Sequence, residues 1–236
     1  MNNFDTNPEQ RRQIRSISDT NSFLTKMYAL MGVAVLVSAL ASYLTMTVFR
    51  SAVMQMPVAI MWVILLVPFA LSMGISFKAN RNPLASFIML MILAVIYGFE
   101  FALIAGFYTG TQLTTAFVSS SVVFIAMAAF GTFTKKDLTN WGAYFGAALF
   151  GFFIAWIVNL FLHNPAITYI FSFIGVIIFT GLVASDANKM KLIYNNYGNQ
   201  VSTNGLAVLG ALQLYLDFIN IFLFILEIFG YGNNNN

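Results

Sequence analysis

Seven long apolar runs, separated by short polar connections, constrain this sequence more than any other feature. Each run has about 20 or more mostly apolar residues, which is enough for a helix to cross a bilayer. Only 8% of the 236 residues are charged, against roughly a quarter in an ordinary soluble domain. The sequence therefore predicts an all-α integral membrane protein with seven transmembrane helices, at roughly residues 23–49, 57–77, 84–107, 113–133, 141–162, 166–190 and 206–231.

The connections leave no room for a soluble domain. Most are short and contain proline or asparagine, and residues 195–204 form the one loop of any size. No short apolar core with a small-residue cleavage site follows the first polar residues, so the first run is expected to remain as a membrane span. The predicted parts are a polar N-tail at 1–22, a transmembrane domain at 23–231 and a polar C-tail at 232–236.

The distribution of basic residues predicts the orientation. One side of the membrane receives ten of the eleven Lys and Arg residues, and the other side receives only Arg50. By the positive-inside rule the N-terminus is expected in the cytoplasm and, after seven crossings, the C-terminus outside the bacterial plasma membrane. The ten residues are Arg11, Arg12, Arg15, Lys26, Lys78, Arg81, Lys135, Lys136, Lys189 and Lys191.

Composition excludes several classes of function. The chain has no cysteine and a single histidine, so thiolate metal sites, Cys nucleophiles and His-cluster metal centres are excluded. Its basic residues are scattered between apolar runs, which argues against nucleic-acid binding. No serine nucleophile motif and no Gly-rich phosphate loop is present, and the contexts of the membrane aspartates differ from those of intramembrane aspartyl proteases. We expect a protein that is not an enzyme and has no cofactor.

Small residues recur at four-residue spacing in the third span. Such a ridge lets a neighbouring helix backbone approach closely, and helix packing within one chain is favoured over subunit dimerisation. A weaker version occurs at Gly142 and Gly146 in the fifth span. The ridge in the third span consists of Ala94, Gly98, Ala102, Gly106 and Gly110.

The seventh span carries polar residues on one helical stripe. At about 100° per residue these positions fall on or near one face, three or four residues apart. A carboxylate facing lipid is costly, so this stripe is expected to face protein or water and to be a functional candidate. Its members are Gly210, Gln213, Asp217, Asn220, Phe224 and Glu227.

Asp186 near the inner end of span six and Asp217 in span seven can meet in the inner half of the bundle. Two carboxylates in a poorly solvated site cannot both ionise cheaply, so the pair can share a proton and act as a pH-sensitive latch. The alternative is that Asp186 reaches the interface beside Lys189 while Asp217 hydrogen-bonds a neighbouring helix. Lys78 and Arg81 lie at the same cytoplasmic level, either as partners of ionised Asp186 or as ordinary positive-inside anchors.

Two further carboxylates, Glu100 and Glu227, lie in the outer halves of spans three and seven. Together they are candidates for the outer station of a cation path whose inner station is Asp186 with Asp217, although Glu227 is equally well explained as an interfacial residue. Ca²⁺ takes six to eight oxygen ligands, so a few carboxylates would bind it only weakly and transiently. Weak binding suits passage better than storage.

Three segments of the sequence carry a family resemblance: GTFTKKDL (131–138), ASDANKMK (184–191) and, most specifically, ALQLYLDFINIF (211–222). With these segments the chain resembles the Bax inhibitor-1 family, and the resemblance covers nearly the whole chain. It implies pH-sensitive calcium leak, with a central seventh span wrapped by the other six and an aspartate pair at Asp186 and Asp217. It also implies a basic partner at Arg81, with Lys78 as the other candidate.

The sequence departs from that family pattern at three places. Ser185 stands where relatives usually have tyrosine, Glu227 stands where many have arginine, and Glu100 matches no family position. These changes leave the acid pair intact, with Gln213 and Asn220 as supporting hydrogen-bonding groups, and bear on the outer mouth of the path.

The leading hypothesis is a plasma-membrane cation leak for Ca²⁺, gated by protonation of Asp186 and Asp217. A second hypothesis is a non-conducting regulator that binds a membrane protease or a stress-response partner through its polar N-tail. A third, proton-coupled transport of a small solute, fits the acids but has no sequence clue to its substrate.

Overall fold

The computed structural model describes residues 17–233, and every regular element in that range is an α-helix. Seven helices, all except the five-residue α2, are long and apolar enough to cross a membrane, which confirms the predicted fold class. In chain order the helices are α1 (Ile17–Thr47), α2 (Arg50–Met54), α3 (Val58–Lys78), α4 (Pro83–Ala105), α5 (Gly110–Phe133), α6 (Thr139–Leu162), α7 (Pro165–Tyr197) and α8 (Thr203–Asn233).

Capping residues in the connections explain where several helices begin. The side chain of Asn82 accepts from the backbone N–H of Ala85 at the start of α4, and Pro83 occupies the first turn. Thr109 and Gln112 form a capping box at α5, in which each side chain satisfies a backbone N–H of the other residue. α6 ends at Leu162, and the next residue, His163, adopts the left-handed conformation with φ 51°.

Two features of the helices differ from the sequence-based prediction. The short helix α2 was not predicted; residues 50–56 contain no glycine or proline, so this connection can form a helical turn. α7 continues to Tyr197, seven residues beyond the predicted apolar run, because its polar end packs on α1: Tyr194 stacks on Phe23 with ring centroids 4.2 Å apart. The loop expected at 195–204 is therefore reduced to residues 198–202.

α8 lies at the centre of the bundle. Buried residues make up 61% of its most apolar 18-residue window, against 6–39% for the other spans. It packs against α1, α4, α5 and α7 along its length and against α3 near its start. α6 packs mainly on α7 and reaches α8 through Phe152 and Phe224, whose ring centroids are 5.5 Å apart. The outward faces of the other helices are rich in exposed aliphatic and aromatic side chains, as a lipid-facing surface requires.

Part of the small-residue ridge of α4 packs on α1 within the same chain. Ala94 and Gly98 are both buried, and a Cβ at Gly98 would collide with the backbone oxygen of Ser38 on α1. The ridge does not continue as predicted, because Gly106 ends α4 and Gly110 begins α5, and neither is closely approached by another helix. The close approach of α1 and α4 is thus an intrachain contact, as the sequence favoured.

Candidate functional site

The polar stripe of α8 faces α7, which runs antiparallel to it. Three contacts fix the register of the two helices: Met190 with Gly210, Gly175 with the ring of Phe224, and Ser172 with Glu227. With a rise of about 1.5 Å per residue, this register places Asp186 of α7 at the level of Gln213 of α8. Asp217 is one turn further along α8, away from the Lys-rich end of the bundle, which we define as the end holding the α3–α4 and α5–α6 connections.

The structure brings Asp186 and Asp217 together at the seam between α7 and α8. Asp217 is 5% exposed, and its Oδ2 atom is buried without a hydrogen-bond partner among the described residues. The nearby carboxylate of Asp186, which is partly buried, acts on it electrostatically. A buried carboxylate without a partner is unfavourable when ionised, so the seam of α7 and α8 is the candidate functional site.

The amide groups of the stripe have different surroundings. Gln213, one turn before Asp217, has a buried Oε1 atom without a partner among the described residues. Asn220, one turn after it, donates from Nδ2 to the backbone oxygen of Leu216 at 2.7 Å within α8. Gln213 therefore has an amide oxygen that can still accept a hydrogen bond at the level of Asp186.

Lys189, one turn along α7, is the basic residue that acts on Asp186 in this structure. Lys78 and Arg81 are both exposed, at the end of α3 and in the turn after it. That turn lies against the start of α8, where Ala79 contacts Gly205. Gly205 is eight residues before the level of Asp186, or about 12 Å along the helix axis. Arg81 and Lys78 are therefore about two turns from the acid pair in this arrangement.

A cluster of aromatic rings lies between the acid pair and the Lys-poor end of the bundle. Phe224 of α8 lies against Gly175, with its ring centroid 5.9 Å from that of Phe179 on α7 and 5.5 Å from that of Phe152 on α6. Phe224 is seven residues beyond Asp217, about 10 Å along the axis. This aromatic plug, consisting of Phe152, Phe179 and Phe224, fills the α7–α8 seam on the Lys-poor side of the acids. Apolar constrictions of this kind can close a path to ions.

The other two membrane carboxylates, Glu227 and Glu100, have different surroundings. Glu227 accepts a hydrogen bond from the hydroxyl of Ser172 at 2.6 Å, on the α7 side of α8. Glu100 of α4 lies near Tyr97 and Tyr215, and its Oε1 atom is buried without a partner among the described residues. Tyr215 and Asp217 project about 200° apart on α8, so Glu100 lies on the opposite side of this helix from the acid pair. The structure thus places Glu227, but not Glu100, on the same seam as Asp217.

No group of three or more His, Cys, Asp or Glu side chains that could hold a metal ion occurs among the described residues. The acids available to a cation at the inner seam are Asp186 and Asp217. Two carboxylates supply fewer oxygens than Ca²⁺ prefers, so any cation there would need backbone oxygens or water as well.

The opposite face of α7 holds the α5–α6 connection, a role that the sequence did not reveal. Asn188 is fully buried: its Oδ1 accepts from the backbone N–H of Leu138 at 2.9 Å, and its Nδ2 donates to the backbone oxygens of Gly131 and Lys136, both at 3.1 Å. Lys191 donates to the backbone oxygens of Thr132 and Thr134, both at 2.7 Å. We call Asn188 and Lys191 the α7 clamp.

Two of the segments that carry the family resemblance, 131–138 and 184–191, lie against each other at this clamp. Gly131 packs on the backbone of Ala184, and the hydroxyl of Ser185 donates to the backbone oxygen of Leu138 at 3.2 Å. The signal that could have identified the clamp is the combination of a polar Asn and a Lys inside an apolar helix end with a nearby polar turn. Sequence alone does not show that the two segments meet.

The fold and the buried acid seam define a multi-pass membrane protein with seven spans around a central C-terminal helix. The model of the family described as inhibitor of apoptosis-promoting Bax1 matches residues 20–235. The chain belongs to this family, the Bax inhibitor-1 family, as its motifs indicate.

Several bacterial proteins are similar to this chain over most of their length. An uncharacterized protein, YrjE, of Lactococcus lactis is 39% identical over 221 residues, which cover 91% of this chain and 93% of the relative. An uncharacterized membrane protein of Streptococcus pyogenes serotype M3 is 38% identical, with 89% and 93% covered. An uncharacterized protein of Rickettsia prowazekii is 32% identical, with 88% and 89% covered.

Proposed function

We propose that this protein is a cation leak of the bacterial plasma membrane, most active with Ca²⁺ and gated by protonation of Asp186 and Asp217. The observation that carries the proposal is the burial of Asp217, with an unpartnered carboxylate oxygen, on the central helix facing a second acid on α7. An ionisable group inside a membrane bundle is costly to keep, so a functional role is the default interpretation. The N-terminus lies in the cytoplasm in this proposal, as the basic residues favour.

Protonation sets the strength of the contact between α7 and α8. When the pair holds a proton, one carboxyl donates to the other and the two helices stay together at the seam. When the proton leaves, two negative charges at a poorly solvated site repel each other, and the inner end of α8 moves away from α7.

A second charge interaction then favours the open arrangement. Arg81, with Lys78 as the other candidate, pairs with the ionised Asp186 in the open arrangement. The helix movement must therefore close the separation of about two turns between them that is described above. The basic residue thus stabilises the state in which the acids are apart. In this proposal the closed arrangement is the one in which the aromatic plug fills the seam between α7 and α8.

Calcium passes rather than stays in this proposal. The acids attract a divalent cation electrostatically, whereas the small number of oxygens at the seam keeps its binding weak and transient. Asp186 and Asp217 form the inner station and Glu227 the outer one, with Gln213 and Asn220 as polar groups along the same stripe. Glu100 has no place on this path because it lies on the other side of α8.

Calcium flux into liposomes that contain the purified protein tests the gate. The parent protein should pass Ca²⁺ at a rate that rises as the acid pair loses its proton, and therefore at a rate that depends on pH. The Asp186→Asn, Asp217→Asn double variant should show a flux that is independent of pH. An Asp137→Asn variant, which changes an exposed acid in the α5–α6 connection, should keep the parental pH dependence. A double variant with the parental pH profile would disprove the gate.

The same experiment separates the leak from the alternative of a non-conducting regulator. That alternative depends on the polar N-tail, most of which lies outside the described residues. It predicts no flux from the pure protein at any pH and loss of the cellular phenotype when residues 2–20 are deleted.

A further inference from the structure

A cavity of about 620 Å³ opens at the Lys-poor end of the bundle, where the ends of α4, α6, α7 and α8 converge. This volume lies within the range of small-molecule sites in proteins. The aromatic plug separates the cavity from the acid pair. Its wall includes Glu227, Asn159 and the rings of Tyr108, Trp156, Tyr169 and Tyr231.

Glu227 gives the cavity a carboxylate. Among the described residues that line it, Glu227 is the only acid, His163 is the only other ionisable side chain apart from the tyrosines, and none is Lys or Arg. Ser172 donates to Oε2 of Glu227, and no hydrogen bond among the described residues engages Oε1. The anchored carboxylate therefore keeps one oxygen for a positively charged ligand.

A buried amide adds a second acceptor. Asn159 is 6% exposed, and its Nδ2 donates to the hydroxyl of Thr168 at 2.8 Å. This hydrogen bond fixes the orientation of the amide and leaves its Oδ1 buried without a partner among the described residues. A buried carbonyl oxygen without a partner is unfavourable unless a ligand or water donates to it. Asn159 is one of the residues that line the cavity, so a ligand N–H or O–H that reaches this oxygen would give it the missing hydrogen bond.

The aromatic lining decides which kind of cation fits. Tyr169 and Tyr231 stack with ring centroids 4.5 Å apart, and the rings of Tyr108 and Trp156 also line the cavity. Aromatic faces attract organic ammonium groups through cation–π interactions. Ca²⁺ instead takes six to eight oxygens with several carboxylates among them, and Glu227 is the one carboxylate among the described lining residues.

We infer that this outer cavity binds a primary ammonium group, with Glu227 as the counter-ion, the carbonyl oxygen of Asn159 as a hydrogen-bond acceptor, and the tyrosine rings as the cation–π wall. The site shares Glu227 with the proposed cation path, but it is separate from the gate at Asp186 and Asp217, and ammonium binding does not require calcium leak. Because the cavity lies at the level where a bilayer meets water, the ammonium group can come from an aminophospholipid headgroup or from a free amine in solution.

The binding of ethanolamine tests this site, with ethylene glycol as its uncharged counterpart. Saturation-transfer NMR on the full-length protein in nanodiscs of phosphatidylglycerol should show transfer to ethanolamine and none to ethylene glycol. Glu227→Gln should weaken ethanolamine binding by about tenfold or more, which is the loss of one charge-assisted contact. Glu100→Gln, which changes a carboxylate outside the cavity, should leave it unchanged.

Tyr169→Leu keeps the carboxylate and provides a second test if Glu227→Gln does not fold, as judged by its size-exclusion profile. It should weaken ethanolamine binding several-fold. Equal transfer to ethylene glycol, or binding that neither substitution affects, would overturn the proposal. Displacement of ethanolamine by an equal concentration of Ca²⁺ would also overturn it, because the site would then be an inorganic cation site.

The lipid composition of the nanodisc identifies the source of the ammonium group. If a headgroup fills the cavity, replacing half of the phosphatidylglycerol by phosphatidylethanolamine should suppress binding of free ethanolamine. In native mass spectrometry, the parent protein should then retain bound phosphatidylethanolamine and the Glu227→Gln variant should not. If a soluble amine is the ligand, ethanolamine binding should be the same in both lipids. Both results support an ammonium site, and each identifies one source of the ammonium group, the lipid headgroup or the soluble amine.

Discussion

Replacing Asn188 by alanine should destabilise the whole bundle, because this side chain joins α7 to the α5–α6 connection through three buried hydrogen bonds. Each such bond contributes about 0.5–1.5 kcal/mol net, so their loss amounts to roughly 2–4 kcal/mol. The N–H of Leu138 and the carbonyl oxygen of Gly131 would also lose their partner in a buried site.

The expected loss is large enough to measure as a shift in Tm. A change of 1 kcal/mol corresponds to about 2–4 °C for chains of 150–250 residues, so Asn188→Ala should lower Tm by roughly 5–15 °C. The assay is thermal unfolding in detergent, followed by the loss of the monodisperse size-exclusion peak. Asn196→Ala is the matched control, since Asn196 lies on the same helix and is exposed. Equal Tm values for the two variants would refute the clamp.

Three further predictions concern the plug, the α1–α4 contact and the α5–α6 connection. Phe224→Ala opens the aromatic plug and should raise Ca²⁺ flux in liposomes at every pH, whereas Phe222→Ala, on the face toward α4 and α5, should not; equal fluxes would contradict the plug. Gly98→Ala should lower Tm, because its Cβ collides with the backbone of α1; an unchanged Tm would contradict that packing. The Thr139 hydroxyl and backbone N–H lower the pKa of Asp137, so the carboxyl should titrate by NMR below its ordinary value of about 3.9, and Thr139→Ala should bring it closer to that value.

The sign of this last prediction follows from the direction of the pKa shift. A carboxyl whose pKa is lower in the folded protein stabilises the fold above its unfolded pKa, and that contribution disappears as the pH falls through the folded value. Asp137 is fully exposed, so the effect belongs to the local turn at the start of α6 rather than to the bundle.

The seven spans could be predicted from the sequence because each helix that crosses a bilayer needs a long apolar run. The polar stripe of α8 could also be predicted to face protein, because a carboxylate that faces lipid is energetically costly. The meeting of Asp186 and Asp217 follows from the antiparallel order of the last two spans, together with the depth of each acid. These inferences need only hydropathy, helical periodicity and chain order.

Other parts of the site depend on tertiary contacts that no local pattern contains. The sequence placed Arg81 and Asp186 at one cytoplasmic level, whereas the register of α7 on α8 separates those levels by about 12 Å. Lys191 was counted only as a topology signal, yet its ammonium group binds the carbonyls at the end of α5. Glu100 and Glu227 were grouped by depth alone, and depth does not report the side of α8 on which each one lies.

The measurement that tests the gate most directly is the distance between the carboxyl groups of Asp186 and Asp217, determined in experimental structures at acidic and at alkaline pH. We expect a direct hydrogen bond of about 2.5–2.7 Å between carboxyl oxygens at acidic pH, as is typical of a shared proton. At alkaline pH we expect separated carboxylates, with the Lys-rich end of α8 displaced from α7 and Asp186 closer to Arg81. The same separation and the same helix positions at both pH values would contradict the account.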